Sequence, residues 1–306
     1  MNEKELINYY NKFNEDKRLS TRHGQVEFIT SIHYIEKYLK NYDKPNIIDI
    51  GAGTGAYSLY FKNKGYDVTA VELVKHNLRE IEKKGINAYL GNAINLSKFS
   101  DNSYDIVILF GPMYHLIDDQ DKIKALNEAK RILKKDGLIF ISYCMNDYSI
   151  IKHGFIDNNI LNEMDIIDDN YHIRPKETDL YSYVRIEDID YYKDSCNLKR
   201  VKILSQDGPT EYIRPIINKM DDKTFKLFID YHLSTCERYE LLGSGRHVLD
   251  ILKKWFYKSL LFSIFSTSTL LIESNLFVIL SVVIWMSLTS LLTVSIDLDN
   301  LSHLSL

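Results

Sequence analysis

Apolar positions recur with two different periods along the chain. Between about residues 3 and 40 they are spaced three or four apart, which predicts amphipathic helices. From Pro45 to about Tyr143 short apolar runs alternate with helical patterns, which is typical of a doubly wound parallel α/β sheet. The run at residues 47–50 leads directly into a glycine-rich turn. The rest of the domain is expected to be organised around that strand and turn.

The pattern changes after the predicted sheet. Residues 146–185 are rich in Asn and Asp and have weak periodicity, which indicates an inserted cover, with a short strand at residues 181–185. Helices are predicted at residues 186–192 and, after a cap at Asp221 and Asp222, at about 225–233. Residues 198–204 and 247–252 predict two further strands.

A strongly apolar tail follows Lys254. Its second apolar run, residues 276–296, is long enough to cross a bilayer, and the first, residues 260–272, is marginal. A membrane anchor at residues 255–306 is one interpretation. A disordered extension or a shifted reading frame explains the same composition.

Composition and charge narrow the function classes. The chain has 306 residues, 45% hydrophobic and 26% charged, which indicates a folded protein. A formal net charge of -4 does not favour nucleic acid as a partner. Cys144, Cys196 and Cys236 have neither disulfide-like nor metal-like spacing, so a reducing, cytoplasmic location and no bound metal are expected. No secretory signal is visible at the N-terminus.

Gly51, Gly53 and Gly55 stand at alternate positions after the first strand. Such a turn brings bare peptide groups to the start of a helix, where a ligand can lie against them. Glu72 ends the next predicted strand, about twenty residues later, where a carboxylate accepts hydrogen bonds from ribose hydroxyls. The pattern suits a nicotinamide dinucleotide or S-adenosylmethionine.

Five ordered segments across about a hundred residues resemble the motifs of class I S-adenosylmethionine-dependent methyltransferases. They are Asp49-Ile50-Gly51-Ala52-Gly53-Thr54-Gly55, Ala70-Val71-Glu72-Leu73, Leu90-Gly91-Asn92-Ala93, residues 104–110 and residues 129–142. Asn92 departs from the Asp that is usual in the third motif, although its amide oxygen can also accept the adenine amino group. The resemblance extends to bacterial methyltransferases with the loop Gly-Pro-Met-Tyr-His-Leu, here residues 111–116.

The resemblance implies an architecture. It implies a doubly wound, mostly parallel, seven-stranded Rossmann-like sheet with an antiparallel edge. Residues 1–44 would form an N-terminal helical cover, and residues 45–254 the methyltransferase domain, with insertions at about 146–185 and 209–240. Residues 255–306 form the separate tail.

The resemblance also implies a cofactor and an acceptor. S-adenosylmethionine is the expected cofactor, with a small-molecule acceptor. The residues expected to bind the cofactor are Asp49, Gly51, Ala52, Gly53, Gly55, Glu72, Leu73, Asn92, Ala93 and Phe110.

Two segments hold candidate substrate and catalytic groups. Tyr114 and His115 follow the Gly-Pro turn after the fourth strand, and either could orient an acceptor or take its proton. His23 is a third candidate base, and Arg22 a substrate contact, in the polar stretch between the first helices. Packing and helix capping explain the same residues. A nicotinamide-dependent oxidoreductase and a non-catalytic S-adenosylmethionine-binding module remain alternatives, and the oligomeric state stays open.

Overall fold

The computed structural model describes residues 3–11 and 15–255. Its strands are β1 (Asn46–Ile50), β2 (Asp67–Glu72), β3 (Asn87–Leu90), β4 (Tyr104–Leu109), β5 (Leu133–Cys144), β6 (Leu198–Ser205) and β7 (His247–Lys254). Its helices are α1 (Glu3–Tyr10), α2 (Glu15–Ser20), α3 (Arg22–Leu39), α4 (Ala56–Asn63), α5 (Lys75–Lys83), α6 (Asp119–Ile132), α7 (Asn146–Ser149), α8 (Ile186–Ser195), α9 (Arg214–Ile217) and α10 (Asp222–Thr235).

All seven strands form one sheet, in the order β3-β2-β1-β4-β5-β7-β6. The pairs among β1 to β5 are parallel, whereas β7 runs antiparallel to both β5 and β6. The predicted seven-stranded, mostly parallel sheet with an antiparallel edge is confirmed. Because β7 is reversed, its first residue, His247, pairs with Cys144 at the carboxyl end of β5. The start of β7 therefore lies at the edge of the sheet where ligands bind in such folds.

Both faces of the central strands are buried, which explains why their sequences are almost continuously apolar. Adjacent residues of β1 enter different apolar clusters because side chains alternate across a strand. Ile48 packs in the cluster that contains α6 residues such as Leu126, and Ile47 packs with Ile35 of α3 and Phe61 of α4.

Tyr10 of α1 contacts His115 in the loop after β4, so α1 lies at the carboxyl edge of the sheet. Thr21 caps α3, and its side chain accepts a hydrogen bond from the Gly24 amide. Gly24 is required where α2 meets α3, since a Cβ there would lie 2.3 Å from the carbonyl oxygen of Arg18. This close contact fixes α2 across the start of α3.

The segment between β5 and α8 contains short helical turns and loops. The prediction of a strand at residues 181–185 is wrong, because only Val184 makes a β-bridge, with Met145. Tyr181 and Tyr183 lie instead on a cavity wall. The predicted strands near residues 198–204 and 247–252 and the helices near 186–192 and 225–233 are all present.

Among the described helices, none combines the length and apolar character that crossing a bilayer requires. The predicted membrane-associated tail lies, from residue 256 onward, outside the described residues.

Candidate cofactor cleft and active site

The turn between β1 and α4 forms one wall of a cleft at the carboxyl edge of the sheet. Gly51, Gly53 and Gly55 all have positive φ angles, of 71°, 57° and 84°. Side chains disfavour this left-handed region, which explains the three glycines. A Cβ on Gly51 would also lie 2.6 Å from Cδ of Pro112. The turn is therefore shaped by its own backbone and by the loop after β4.

Gly55 differs from the other two glycines. It is the N-cap residue of α4, and a Cβ there would lie 3.0 Å from Ile81. The residues that line the cleft include Gly51, Ala52 and Gly53 but not Gly55. The geometry therefore gives Gly55 a structural position behind the cleft rather than the predicted cofactor contact.

Glu72 links the end of β2 to the glycine turn. Its Oε2 accepts a hydrogen bond from the Gly53 amide and its Oε1 one from the Val74 amide, both at 2.8 Å. Burial raises the pKa of Glu72 to about 7, against the effect of those two hydrogen bonds. A carboxylate offers about four acceptor positions, so it can hold the turn and still accept from a ligand hydroxyl.

Asp49 lies beneath the same turn and lines the cleft. Its Oδ2 accepts a hydrogen bond of 2.6 Å from the Ser58 hydroxyl, which ties β1 to α4. Burial raises the pKa of Asp49 to about 6. This contact agrees with the expectation that Asp49 holds the turn.

The remaining predicted cofactor residues, Leu73, Asn92, Ala93 and Phe110, all line the cleft. Asn92 follows β3, and its Oδ1 accepts a hydrogen bond of 3.2 Å from the Ile94 amide. The carboxamide is thereby held beside the cleft. Together with Glu72 it supplies acceptors from two neighbouring strand ends.

An ion pair between Arg18 and Glu27 closes the other side of the cleft, and sequence reasoning did not single it out. The guanidinium of Arg18 makes two hydrogen bonds to the Glu27 carboxylate, of 2.6 and 3.1 Å. Burial alone would raise the pKa of Glu27, but Arg18 and His247 outweigh it and lower the pKa to about 2. The only sequence signal was the density of polar groups over residues 18–27.

Tyr114 and His115 lie in a short helical turn after β4, and both line the cleft. The His115 Nδ1 is 2.7 Å from the carbonyl oxygen of Leu180, so Nδ1 carries the proton and donates it. Its Nε2 accepts a hydrogen bond of 2.7 Å from the Tyr10 hydroxyl. Burial lowers the pKa of His115 to about 4, so the ring is neutral near pH 7.

Arg22 and His23 do not line this cleft. Arg22 makes a hydrogen bond of 2.7 Å to Asp222 and lies 4.9 Å above the Phe225 ring, so its charge is directed to the outer surface near α10. The predicted substrate contact at Arg22 is not supported by this geometry. His23 lies on the wall of a second cavity, and burial lowers its pKa.

The second cavity has a volume of about 510 Å³ and lies beside the cleft, with Arg18 lining both. Its wall includes the cationic side chains Arg18, Arg214 and Arg246 and the aromatic side chains Tyr9, Tyr148, Tyr181 and Tyr183. Tyr181 is stacked with Tyr114 at a ring-centroid distance of 6.1 Å, so the two cavities share an aromatic wall. Sequence reasoning identified neither this cavity nor Arg246.

The charges of the cleft fit S-adenosylmethionine better than a dinucleotide. Asp49, Glu72 and Glu27 all line it, whereas Arg18 is the one Lys or Arg among its lining residues. A pyrophosphate would be repelled by this acidic set, and a sulfonium cation is attracted to it. The strand order also differs from the 3-2-1-4-5-6 order typical of dinucleotide-binding sheets.

The sheet topology, glycine turn and acidic cleft are those expected of a class I S-adenosylmethionine-dependent methyltransferase, an enzyme whose cofactor is S-adenosylmethionine. Residues 48–141 match the family model described as a methyltransferase domain.

Several proteins are similar to this chain in sequence or fold. An uncharacterised protein of Methanocaldococcus jannaschii is 25% identical over 228 residues, which cover 73% of this chain and 94% of that protein. A ubiquinone biosynthesis O-methyltransferase of Rickettsia prowazekii is 28% identical over 153 residues, but the match covers 46% of this chain and 59% of that protein. The fold is similar to a Thermotoga maritima structure described as a possible histamine N-methyltransferase, with a TM-score of 0.53 and 17% identity over 81% of this chain and 98% of that one.

Proposed function

We propose that this methyltransferase acts on a small-molecule acceptor that enters the cleft beside Tyr10, Tyr114 and His115. The observation that carries the proposal is the acidic cleft, where three carboxyl groups face one guanidinium. When bound, S-adenosylmethionine supplies a methyl group activated by the positive charge on sulfur. The protein then has to align the acceptor and exclude water.

The cofactor contacts are assigned by the chemistry of each lining group. Glu72 would accept hydrogen bonds from the ribose hydroxyls, and Asn92 would accept from the adenine amino group. The Arg18–Glu27 pair presents both signs of charge, as the amino acid end of the cofactor requires. Gly51 and Gly53 let the backbone approach the ligand without a side chain between them.

His115 is proposed as a positioning residue and Tyr10 as the group that contacts the acceptor. A neutral ring with pKa about 4 binds a proton weakly, which argues against His115 as a resting general base. Its Nε2 accepts the Tyr10 proton, and a phenol oxygen can also accept a hydrogen bond from an N–H or O–H of the acceptor.

The test is acceptor-dependent formation of S-adenosylhomocysteine from a panel of phenols, amines and small carboxylic acids. We expect turnover of at least one compound, and a loss of about tenfold or more in kcat for both Tyr10→Phe and His115→Ala. Calorimetry should show S-adenosylhomocysteine affinity within about twofold of wild type for both variants. Tyr231→Phe, on an exposed face of α10, is the matched control.

The outcomes separate the alternatives. A wild-type turnover rate in His115→Ala would show that His115 does not position the acceptor-binding group Tyr10. Binding of S-adenosylhomocysteine without turnover of any compound would favour a non-catalytic module. Preferential binding of a nicotinamide dinucleotide would overturn the assignment altogether.

The proposal also covers where the enzyme acts. The three cysteines are buried free thiols, which supports a cytoplasmic location. Membrane association through residues 255–306 rests on hydropathy alone. If it holds, deletion of residues 256–306 should move the protein from the membrane fraction to the supernatant. Unchanged fractionation would contradict an anchoring role.

A further inference from the structure

The second cavity is surrounded by more cationic side chains than carboxylates. Arg18 is paired with Glu27, and the Nδ1 of His247 lies 2.8 Å from Oδ2 of Asp207. Arg214 and Arg246 share one partner, Glu211, and the distance from Arg246 Nη1 to Glu211 Oε1 is 3.3 Å. None of these three carboxylates is among the described residues that line the cavity, whereas Arg18, Arg214 and Arg246 all line it.

Two groups next to the cavity-lining arginines, His247 and Glu211, are held in their charged forms. Burial alone would lower the pKa of His247, but nearby Cys144, Glu27 and Asp207 outweigh it and raise the pKa to about 10. Burial would raise the pKa of Glu211, but Arg246 and Arg214 keep it below its usual value. Three guanidinium groups line the cavity and no Asp or Glu is among its described lining residues, so the cavity favours a negatively charged ligand.

Arg246 is the cation best placed to receive that charge. It precedes β7, lines the cavity and has 21% of its side chain exposed. Among the contacts of the described residues, its guanidinium makes one hydrogen bond, the long one to Glu211. A guanidinium has five N–H donors in a planar fork that matches a carboxylate.

The same cluster contains a group that could in principle ligate a metal ion. Single ligand atoms of Glu27, Asp207 and His247 lie within 4.8 Å of one another. Glu27 is already held by both arms of the Arg18 guanidinium, however, and Arg18 and Arg246, which both interact with Glu27, would repel a metal cation. The charges therefore favour an anion over a metal.

The aromatic part of the wall of the second cavity fits a planar ligand. Tyr9, Tyr148 and Tyr181 line the cavity, and the Tyr181 hydroxyl donates a hydrogen bond of 3.2 Å to that of Tyr9. A volume of about 510 Å³ lies within the range of about 300–1,000 Å³ typical of small-molecule sites. Since Tyr181 stacks on Tyr114, a ligand held at Arg246 lies beside the cofactor cleft.

We infer that the second cavity binds the carboxylate end of the methyl acceptor, and that this acceptor is a small planar or aromatic monocarboxylic acid whose carboxylate is held by Arg246. The inference rests on the proposed function, because it names the substrate class of the same enzyme. Arg246 offers a planar guanidinium fork to a carboxylate, and the tyrosine wall packs against a planar body, which inorganic phosphate lacks.

The test uses the full-length protein saturated with S-adenosylhomocysteine, with benzoate, benzamide and inorganic phosphate as probes in calorimetry. We expect benzoate to bind at least tenfold more tightly than its neutral isostere benzamide, and more tightly than phosphate. This comparison needs no variant, so it does not depend on a mutant protein folding.

Variants then test whether Arg246 is the residue that binds the carboxylate of benzoate. Arg246→Met should weaken benzoate binding about 10- to 100-fold, as expected for loss of a charged hydrogen-bonding partner, and Arg246→Lys should weaken it less. Arg238→Met, which removes an exposed arginine paired with Glu240, is the matched control and should leave benzoate binding unchanged. S-adenosylhomocysteine affinity should stay within twofold in all three variants.

Each of four results would overturn the inference. These are equal binding of benzoate and benzamide, no binding of benzoate, tighter binding of phosphate than of benzoate, and wild-type benzoate affinity in Arg246→Met. Failure of wild type to bind S-adenosylhomocysteine would instead refute the proposed function. The two failures are therefore distinguishable.

Discussion

The raised pKa of Glu72 predicts that cofactor affinity depends on pH. Glu72 has a pKa of about 7 in the ligand-free protein because it is buried. Ribose hydroxyls donate hydrogen bonds to its ionised form, so binding lowers this pKa and releases a proton. Affinity for S-adenosylhomocysteine should therefore rise with pH and level off above about pH 8.

The size of the effect follows from the pKa. A carboxyl group with pKa 7 is about nine-tenths ionised at pH 8 and about one-tenth ionised at pH 6. The dissociation constant of S-adenosylhomocysteine should therefore be about tenfold larger at pH 6, equivalent to about 1.4 kcal/mol. At pH 7 about half a proton should be released per ligand bound.

Calorimetry in two buffers of different ionisation enthalpy measures the affinity and the proton release together. Glu72→Gln should bind more weakly at pH 8 and show little change between pH 7 and 8. Asp49→Asn controls for the second carboxyl group, whose pKa is about 6, and should keep the slope between pH 7 and 8. Equal wild-type affinity at pH 6 and pH 8, with no proton released, would refute the role of Glu72.

Two further predictions concern stability. Gly51→Ala should lower the free energy of unfolding by about 3 kcal/mol, because its Cβ would clash with Pro112 and its φ is positive. Gly65→Ala, also at positive φ but with open space around it, should cost only about 1 kcal/mol, and equal costs in urea titrations would contradict the clash. His247 has a pKa of about 10 in the folded state and about 6.5 when unfolded, so its contribution to stability is fully present below about pH 6.5 and is lost as the pH rises to about 10. Urea titrations should show the free energy of unfolding falling by up to about 1.4 kcal/mol per pH unit over that window, and a His247→Gln variant with the same slope as wild type would count against this assignment.

The sheet and the cofactor cleft were predictable because their signals are local. Alternating glycines mark backbone that needs positive φ, and an acid about twenty residues later marks the next strand end. The carboxyl ends of parallel strands meet at one edge, so Asp49, Glu72 and Asn92 converge wherever those strands pair. Gly55 shares the spacing of its neighbours, but its position as the helix cap behind the turn depends on packing against Ile81.

The positions of Tyr10, Arg18 and Arg246 around the proposed acceptor site were not predictable, because they depend on contacts between distant segments. Arg18 and Arg22 are four residues apart, yet the break at Thr21 between α2 and α3 sends one toward the cleft and the other toward α10. Tyr10 meets His115 across 105 residues, and no periodicity indicates that pairing. Arg246 reaches the site only because β7 is reversed in the sheet.

The part of the chain that matches other methyltransferases and the part that surrounds the second cavity are separate in sequence. The matched residues, 48–141, include the glycine turn and the ends of β1 to β4, whereas every side chain lining the second cavity lies before or after them. If the second cavity binds the acceptor as inferred, substitutions in those flanking segments should change which acceptor is methylated while the cofactor cleft is retained. Enzymes that share the matched region could then differ in what they methylate.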